Sequence, residues 1–508
     1  MNPTKRIIVN TIAQYVKAII NIGLSLYSTR LVLEILNEDN YGIYALVAGV
    51  VGILGYLTNA LVVTTQRYLS FYHGAGEIHN VRKMFANSLL LHLAIGALIG
   101  LILFCIKSFV MHELNIETAR LQAAMFVFDI TVLMLIITIL TSPFKALLVA
   151  RENIVYISIV EVFDGVLRLL LAFSLFFIGT DKLIVYAIGM GIILAINFVA
   201  YVAYVLLCYE ESHFKLRKET FDMESQKKLL GFAGWTTYGM ISTVCQTQGT
   251  SIALNHFFGT AINAAYGLAS QVNGAIRFVS TSVLNAMNPQ IMKEEGNGDR
   301  QRMLALAGKE SKFSTALMMI LAIPMMAEMP AILEFWLKSV PQYTCLFCRA
   351  LLLAFLIDQF TLGLHAANQA TGVIRTYSLL MFTPKILYVF VAWAMLSYGC
   401  EVSTVMLLYV FVELAVAIGR IPFLHYTADL NVSQFMHSVI YPLIPLGLVV
   451  SVACLLMIGI LPATTLRFLI SIPVAIAIGI LVFWRRTLTT EERSYVNNII
   501  RSRLCNRQ

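Results

Sequence analysis

The chain has 508 residues, 59% of them hydrophobic and only 13% charged, and its mean hydropathy is +0.79. Soluble domains carry about 25% charged residues, and a soluble fold this apolar could not cover its own surface with polar groups. The net charge of +8 is typical of membrane proteins, whose Lys and Arg collect in cytoplasmic loops. No basic segment interleaved with aromatics stands outside the apolar runs, so nucleic-acid binding is not expected.

Fourteen apolar segments follow one another along the chain, each close to the roughly 20 residues that span a bilayer as a helix. The first segment follows a short basic N-terminus without the cleavage site of a signal peptide. The sequence therefore predicts an all-α polytopic membrane protein with about 14 transmembrane helices. The predicted spans are 8–34, 41–65, 86–110, 122–147, 155–179, 183–208, 231–257, 262–288, 312–336, 346–371, 376–398, 402–424, 438–460 and 464–484.

The distribution of basic residues predicts the orientation. Of 36 Lys and Arg residues, 26 fall in the even-numbered connections or near the two ends, and six fall in the odd-numbered connections. Short loops rich in Lys and Arg stay in the cytoplasm. Both termini are therefore predicted to be cytoplasmic.

Three pairs of landmarks recur at nearly the same spacing. Tyr41-Gly42 recurs as Tyr266-Gly267, Gln66 as Gln290, and the motif HGAGE as EGNGD, at offsets of 225, 224 and 222 residues. Such an offset predicts two repeated six-helix halves in one orientation, which commonly enclose a site at their interface. The predicted domains are an N-terminal lobe (1–208), a charged cytoplasmic linker (209–230), a C-terminal lobe (231–424), and two further helices with a basic tail (425–508).

Polar side chains line one face of the first predicted helix. Asn10, Gln14, Lys17, Asn21, Ser25 and Ser28 are spaced by three or four residues, so this face meets water or protein rather than lipid. Lys17 at its centre either contacts an anion in a central cavity or extends to the cytoplasmic surface. Asn59 on the second predicted helix is expected to extend the same wall.

The seventh and eighth predicted helices repeat the pattern with Gln246, Gln271, Asn273 and Arg277. Arg277 lies deep in its helix, where it either lines the cavity or forms an interhelical ion pair. With Lys17, Asn21 and Asn59, these four residues form the predicted substrate cavity.

Four other ionisable residues lie inside predicted spans, where such residues are costly and often functional. Desolvation favours the protonated form of a buried carboxylate, so Asp129, Asp358 or Glu413 could carry a coupling proton. His365 titrates near neutrality and could relay it. Hydrogen bonds that serve packing alone explain these four residues equally well. Asp164 and Arg168, four residues apart, are expected to form an internal ion pair.

Several signatures of chemistry are absent from the sequence. There is no Walker A motif, no HExxH and no nucleophile with an adjacent base, so the chain is not expected to be an enzyme or to need a cofactor. Cys345 and Cys348 form a lone CxxC without a second pair, so no metal site is predicted. A disulfide between this pair and Cys400 is left open.

On these features the chain resembles the multidrug/oligosaccharidyl-lipid/polysaccharide (MOP) exporter superfamily. The resemblance rests on two six-helix halves, a polar first helix, and the segments NEDNYGIYALVAGVVGIL, TTQRYLSFYHGAGE and NAMNPQIMKEEGNGD. It is most similar to the polysaccharide-type flippases, whose fourteen-helix members would account for the last two helices.

The resemblance implies a flippase that translocates an undecaprenyl-diphosphate-linked oligosaccharide by alternating access, for O-antigen (lipopolysaccharide), capsule or exopolysaccharide assembly. It implies a monomer in the bacterial cytoplasmic membrane. The expected partners are the lipid-linked oligosaccharide, membrane lipid, a polysaccharide polymerase and glycosyltransferases. A cation-coupled multidrug exporter is the alternative, although such exporters often use an acidic residue where this first helix has Lys17. A membrane-bound glycan polymerase would commonly carry larger loops than this chain has.

Overall fold

The computed structural model describes residues 3–52, 55–113, 118–212, 222–337, 340–462 and 466–494. Within these ranges the chain consists of helices and short turns, without a β-strand. The α-helices are α1 (Pro3–Gly52), α2 (Gly55–Gly74), α3 (Ile78–Glu113), α4 (Leu121–Ala150), α5 (Ile154–Ser174), α6 (Lys182–Cys208), α7 (Met223–Phe258), α8 (Thr260–Gly296), α9 (Arg300–Ala327), α10 (Met329–Leu337), α11 (Thr344–Gln359), α12 (Leu362–Thr371), α13 (Ile374–Ser397), α14 (Val402–Ala428), α15 (Val432–Phe435), α16 (Tyr441–Ile460) and α17 (Phe468–Val482).

Helix length and hydropathy confirm the polytopic membrane class. Among the described residues, seven helical segments are long and apolar enough to cross a membrane, and two bent pairs raise the number to nine. The bent pairs are α9 with α10, at 70°, and α11 with α12, at 48°. Helices α1, α5, α7 and α8 carry the polar and charged residues predicted from the sequence and are not included in this count. With these polar helices included, the architecture is consistent with about 14 spans.

The first helix differs from the prediction. We expected a break near residues 35–40, but α1 is continuous over 50 residues from Pro3 to Gly52. Residues 35–40, where the break was expected, contain neither proline nor glycine. Gly42, just after them, costs the helix only about 1 kcal/mol. Apolar turns on both sides outweigh that cost. Helix α1 therefore includes the first predicted span and the beginning of the second.

Helix bounds repeat along the chain with nearly the offset seen in the sequence landmarks. Helices α6 and α14 each have 27 residues and begin 220 residues apart, at Lys182 and Val402. Helices α2 and α8 end 222 residues apart. After each of them a glycine takes the left-handed conformation, Gly76 with φ 73° and Gly298 with φ 78°. Only glycine adopts this conformation without strain, which explains why both motifs carry a glycine at this position.

The chain folds into two compact units. Unit 1 comprises Met1–Met240 and Asn285–Asp299, and unit 2 comprises Ile241–Leu284 and Arg300–Gln508. In unit 1, α1 packs along α5 and α4, and α4 packs against α3 and α6. A buried apolar cluster where these helices meet includes Val47, Phe128 and Ile139. This packing fixes the positions of the polar side chains on α1, α4 and α5.

In unit 2, α9 packs against α11, α12, α16 and α17. Two ion pairs join α9 and its end to the C-terminal segment. Lys312 Nζ lies 2.8 Å from Glu492 Oε2, and Glu328, at the bend after α9, accepts a 2.9 Å bond from Arg467 Nη2. Lys312, where the ninth predicted span begins, has a side chain that is only 3% exposed. The C-terminal segment that has no counterpart in the sequence repeat is thus attached to the middle of α9 and to the bend after it.

Candidate functional site

In unit 1, two lysines bind one carboxylate. Lys17 Nζ on α1 donates to Glu161 Oε2 at 2.7 Å, and Lys145 Nζ on α4 donates to Glu161 Oε1 at 2.8 Å. The Lys145 ammonium also lies 5.3 Å from the centre of the Tyr201 ring. Lys17 therefore points into the helix bundle rather than to the cytoplasmic surface. The sequence gave Glu161 no partner, because Lys17 and Glu161 are 144 positions apart in the chain and Lys145 lies on a different predicted helix.

The same interior holds a second ion pair and several unsatisfied polar atoms. Asp164 accepts a 2.7 Å bond from Arg168, as the spacing predicted, and a 2.6 Å bond from Asn197. Asn21 donates to the Glu161 carbonyl at 3.3 Å, while its own Oδ1 and the Tyr201 hydroxyl are buried without a partner. Three basic and two acidic side chains meet here, so this part of unit 1 has one excess positive charge.

In unit 2, a cavity of about 320 Å³ opens between α7 and α8. Seven of its eleven lining residues carry a hydroxyl or an amide, and one is basic. The lining residues are Thr243, Thr247, Gln248, Ser251, Tyr266, Gly267, Ser270, Asn273, Gly274, Arg277 and Leu351. Two residues predicted for the substrate cavity, Asn273 and Arg277, are therefore part of one cavity.

Arg277 has no acidic partner among the described residues. Its guanidinium lies 4.8 Å from the centre of the Phe355 ring, and the side chain is otherwise exposed. Asn273, one turn earlier on α8, has a buried Oδ1 without a hydrogen-bond donor. The interhelical ion pair that the sequence left open for Arg277 is not formed. The cavity thus presents one cation and one free acceptor on the same helix.

The remaining predicted cavity residues lie elsewhere. Asn59 on α2 and Gln271 on α8 are exposed. Gln246 on α7 is fully buried, and neither atom of its amide has a partner. None of these three lines the cavity in unit 2.

Each predicted ion-coupling carboxylate is held by a basic residue. Asp129 pairs with Lys107 at 2.6 Å, Asp358 with Arg420 at 2.7 Å, and Glu413 with Lys385 at 2.7 Å.

His365 hydrogen-bonds the Tyr377 hydroxyl at 2.9 Å and the Gln369 amide at 3.1 Å. All four of these residues therefore have an ion-pair or hydrogen-bond partner in the described part of the chain. The sequence missed the partners Lys107, Lys385 and Arg420 because each lies on a different helix from its carboxylate.

One buried carboxylate was missed from the sequence. Glu310 on α9 is fully buried, and neither oxygen of its carboxylate has a hydrogen-bond partner. It lies one turn before Ser314, whose hydroxyl donates to Gln359 Oε1 at 2.5 Å. Flanking lysines at positions 309 and 312 made this segment look like a charged connection. Its burial could not be read from the sequence.

A second cavity, of about 330 Å³, lies in unit 1 beside the turn between α4 and α5. Glu152 in this turn has φ 58°, a left-handed conformation that is costly outside glycine. Three contacts hold it: Asn10 donates to its carbonyl at 2.9 Å, Gln290 to its carboxylate at 3.0 Å, and Lys293 lies 3.8 Å away. This network attaches the end of α8 to the turn.

The cysteines and the metal-binding residue types form no further site. Cys345, Cys348 and Cys400 are free thiols, so the disulfide left open from the sequence is not formed. The described residues contain no group of three or more His, Cys, Asp or Glu side chains that could hold a metal ion.

Comparison with known proteins was informative about the fold. No family model matches the chain. A curated relative, the uncharacterized membrane protein EpsK of Bacillus subtilis (strain 168), is 20% identical over 318 residues, which is 62% of this chain and 62% of that protein. The chain therefore matches less than two thirds of the length of this relative.

Solved structures match over a larger share of the chain. A crystal structure of a MATE mutant has a TM-score of 0.73 at 14% identity, covering 86% of this chain and 98% of that one. An outward-facing multidrug resistance MATE family transporter of the MOP superfamily has a TM-score of 0.71 at 15% identity, with 86% and 97% coverage. A MOP superfamily transporter from Pyrococcus furiosus, reported to have a binding pocket of reversed polarity, has a TM-score of 0.70 at 14% identity, again with 86% and 97% coverage.

These likenesses define the fold of the chain, an all-α membrane fold. More specifically, the chain has the fold of the MATE structures, and two of the matching proteins are described as transporters of the MOP superfamily. The fold class predicted from the sequence is confirmed.

Proposed function

We propose that the chain is a flippase for a lipid-linked oligosaccharide whose sugars are joined to the lipid through a diphosphate. The observation that carries the proposal is the cavity of unit 2, where the guanidinium of Arg277 has no acidic partner among the described residues and most lining residues carry a hydroxyl or an amide. A diphosphate supplies anionic oxygens for such a cation, and a glycan supplies hydroxyls for such a wall.

The chemistry of the lining supports both parts of this substrate. An arginine fork binds phosphate oxygens through two parallel hydrogen bonds. The Asn273 and Gln248 amides and the Ser251 and Ser270 hydroxyls can each donate and accept hydrogen bonds. Sugar hydroxyls need that dual capacity. An apolar drug would instead favour a cavity lined mainly by aromatic and aliphatic side chains.

The charge balance in unit 1 supports the same class of substrate. Lys17, Lys145 and Arg168 outnumber Glu161 and Asp164 by one charge. An interior with excess positive charge attracts an anionic headgroup and repels a cation. We infer alternating access as the mechanism: the headgroup passes through the polar interior while the lipid tail stays in the bilayer. The proposed setting is the bacterial cytoplasmic membrane, with both termini in the cytoplasm.

The alternative is a multidrug exporter, and one observation favours it: a structural neighbour is described as a multidrug resistance MATE family transporter. Another neighbour is described as having a binding pocket of reversed polarity that suggests a different function. Low sequence identity to both leaves the substrate to be decided by the residues of this chain. The unpaired cation at Arg277 and the paired state of each predicted coupling carboxylate favour an anionic substrate over a cationic drug.

The test is complementation of surface-glycan export in bacterial cells that lack their own flippases and carry the matching glycan pathway. We expect the wild-type chain to restore export and Arg277→Ala to reduce it at least tenfold, with Arg277→Lys retaining part of it. Gln271→Ala is the matched control, because Gln271 lies on the same helix, is exposed and does not line the cavity. Wild-type export that fails, together with increased resistance to cationic drugs, would overturn the flippase proposal in favour of the exporter.

The proposed partners follow from the substrate. A glycan that reaches the outer surface on its lipid must be polymerised or transferred there, so we propose polysaccharide polymerase and glycosyltransferases as functional partners of a monomeric chain. Crosslinking in cells that express the complete glycan pathway would test both the partners and the monomeric state.

A further inference from the structure

We propose that Glu161 is a built-in anion that occupies a phosphate-binding site in unit 1, and that its protonation releases Lys17 and Lys145 to bind diphosphate oxygens. The inference rests on the proposed function for its biological substrate, although the anion site can be tested without a glycan. It assigns roles to Lys145 and Glu161 that the sequence did not suggest.

The geometry is that of an occupied anion site. Each oxygen of the Glu161 carboxylate accepts a bond from a different lysine, at 2.7 Å from Lys17 and 2.8 Å from Lys145. A phosphate group also offers several oxygens to converging ammonium groups. The lysines come from different helices, α1 and α4, while the carboxylate comes from α5. A ligand phosphate could therefore replace the carboxylate without changing the backbone of either lysine-bearing helix.

The site is partly open, as ligand exchange requires. The side chains of Lys17, Lys145 and Glu161 are 12%, 33% and 30% exposed. A purely structural buried ion pair elsewhere in the chain, Lys385 with Glu413, is closed by comparison, with exposures of 8% and 7%. Solvent and a small anion can thus reach the carboxylate of Glu161, but not that of Glu413.

Charged and titratable groups surround Glu161 on each helix packed against α5. Helix α1 contributes Lys17, α4 contributes Lys145, and α6 contributes Tyr201. Helix α5 itself contributes Asp164, whose charge is matched by Arg168 at 2.7 Å. Protonation of Glu161 therefore changes the charge felt by the two lysines directly, because the neighbouring acid already has its own basic partner.

Two unsatisfied atoms mark room for further hydrogen bonds. The Tyr201 hydroxyl is buried without a partner, and the Tyr201 ring lies against the Lys145 ammonium. A hydroxyl in this position has no acceptor among the described residues and could donate to a phosphate oxygen. The neighbouring Asn21 Oδ1, an acceptor, is also buried without a donor.

Charge balance couples the proton to the anion. With Glu161 ionised, the two lysines and the carboxylate carry a net charge of +1. With Glu161 protonated they carry +2, and the two ammonium groups repel each other at close range. A doubly charged anion compensates that state. Proton uptake and anion binding therefore favour each other, and by linkage each increases the affinity of the other by the same factor. Deprotonation of Glu161 returns the carboxylate to the lysines and expels the anion.

The experiment measures anion binding to the purified full-length protein in nanodiscs of zwitterionic lipid. Inorganic sulfate is the probe between pH 5 and pH 8, because it stays doubly charged over that range. Inorganic pyrophosphate is the second probe at one fixed pH. For the wild type we expect sulfate affinity to fall at least fivefold as the pH rises.

Variants at the carboxylate and at the lysine should change the anion affinity in opposite directions. Glu161→Gln removes the competing anion and keeps the shape, so we expect at least fivefold tighter sulfate binding at pH 8 and no remaining pH dependence. Lys145→Met should weaken binding of both probes at least tenfold. Asp164→Asn is the matched control, since it neutralises an acid on the same helix that neither lysine contacts, and it should leave the pH dependence intact.

Two results would overturn the inference: sulfate affinity of the wild type that does not change with pH, or Glu161→Gln that folds and binds no more tightly. If Glu161→Gln does not fold, the inference is tested by two remaining measurements: the pH dependence of sulfate binding to the wild type and the anion affinity of Lys145→Met. The proposed function fails separately. If pyrophosphate binds with the expected differences between variants but the chain exports no glycan, the anion site stands and the flippase proposal fails. If export depends on Arg277 but anion binding shows no such differences, the flippase proposal stands and the anion site fails.

Discussion

Gly74, at the end of α2, lies directly against the backbone carbonyl of Lys293 near the end of α8. The contact is reciprocal: Gly296, at the end of α8, lies in the same way against the carbonyl of Phe71 on α2. Each pair of corresponding residues is 222 positions apart, the offset of the HGAGE and EGNGD motifs. The two copies of the repeated motif therefore cross each other, and both crossing points require glycine because a Cβ atom would overlap the facing carbonyl.

Alanine at either crossing glycine should destabilise the protein. A Cβ at Gly74 or Gly296 would meet backbone atoms, which cannot move aside as a flexible side chain would. We expect Gly74→Ala and Gly296→Ala each to cost about 1–3 kcal/mol, the usual range for overpacking. Thermal unfolding of the purified protein in detergent would measure the change.

Two glycines serve as controls for this prediction. At Gly23 on α1 and Gly231 on α7, a Cβ would have no other atom within 4 Å, so alanine there should be neutral or slightly stabilising. Equal melting temperatures for all four alanine variants would show that the two helices do not cross at such close range.

Replacing either Lys385 or Glu413 alone should destabilise the protein much more than replacing both. Both side chains are buried, and the Lys385 ammonium donates to both carboxylate oxygens, at 2.7 and 2.9 Å. Removing one partner leaves a buried charge, so Lys385→Met should cost about 3–5 kcal/mol. The double variant Lys385→Met with Glu413→Leu should recover most of that loss.

An exposed pair provides the comparison. Lys228 and Glu224 on α7 are 48% and 72% exposed, and such pairs contribute at most about 1 kcal/mol. A double-mutant cycle on both pairs, followed by thermal unfolding, measures the difference. A Lys385→Met variant as stable as Lys228→Met would argue against a closed interior at Glu413.

The sequence predicted on which face of its own helix a site residue lies, but not which residue of another helix it contacts. Periodicity was sufficient to place Lys17, Asn273 and Arg277 on polar helix faces, because that pattern is local. It could not show that Lys17 meets Glu161 or that Glu413 meets Lys385, since these partners lie on other helices. A lysine near a helix end has the same sequence pattern whether it extends to the surface or turns inward.

Asp222 should make part of the stability depend on pH. It precedes α7, outside the predicted spans, and accepts bonds from the Ser225 hydroxyl at 2.7 Å and from the Lys83 ammonium at 3.1 Å. These bonds lower the pKa of the Asp222 carboxyl below its ordinary value of 3.8. The folded state therefore holds the proton less tightly than the unfolded state.

The sign of the effect follows from the lowered pKa. The contribution of Asp222 is complete above the ordinary pKa near 4 and is lost as the pH falls further, towards the lower pKa of the folded state. We expect the melting-temperature difference between wild type and Asp222→Asn to be present at pH 7 and to shrink below about pH 4. A difference that stays constant down to pH 3 would contradict the prediction.

Glu310 and Lys312, two residues apart on α9, should respond in opposite directions to the same substitution. Glu310 is fully buried with no partner for either carboxylate oxygen, and a buried polar group without a partner costs about 1–3 kcal/mol, more when it is charged. Glu310→Met should therefore raise stability by at least that amount. Lys312→Met should lower it, because it leaves Glu492 without the ammonium that donates to it at 2.8 Å. The two variants share a helix and a similar side-chain size, so the main difference between them is the partner. Thermal unfolding of both variants in the same detergent measures the two changes in stability. Destabilisation by both would mean that the Glu310 carboxylate has a stabilising partner after all.

The stability of Glu310→Met can also be compared with its transport activity. If Glu310→Met is more stable but no longer supports glycan export, the unpaired carboxylate is kept for transport at the expense of stability.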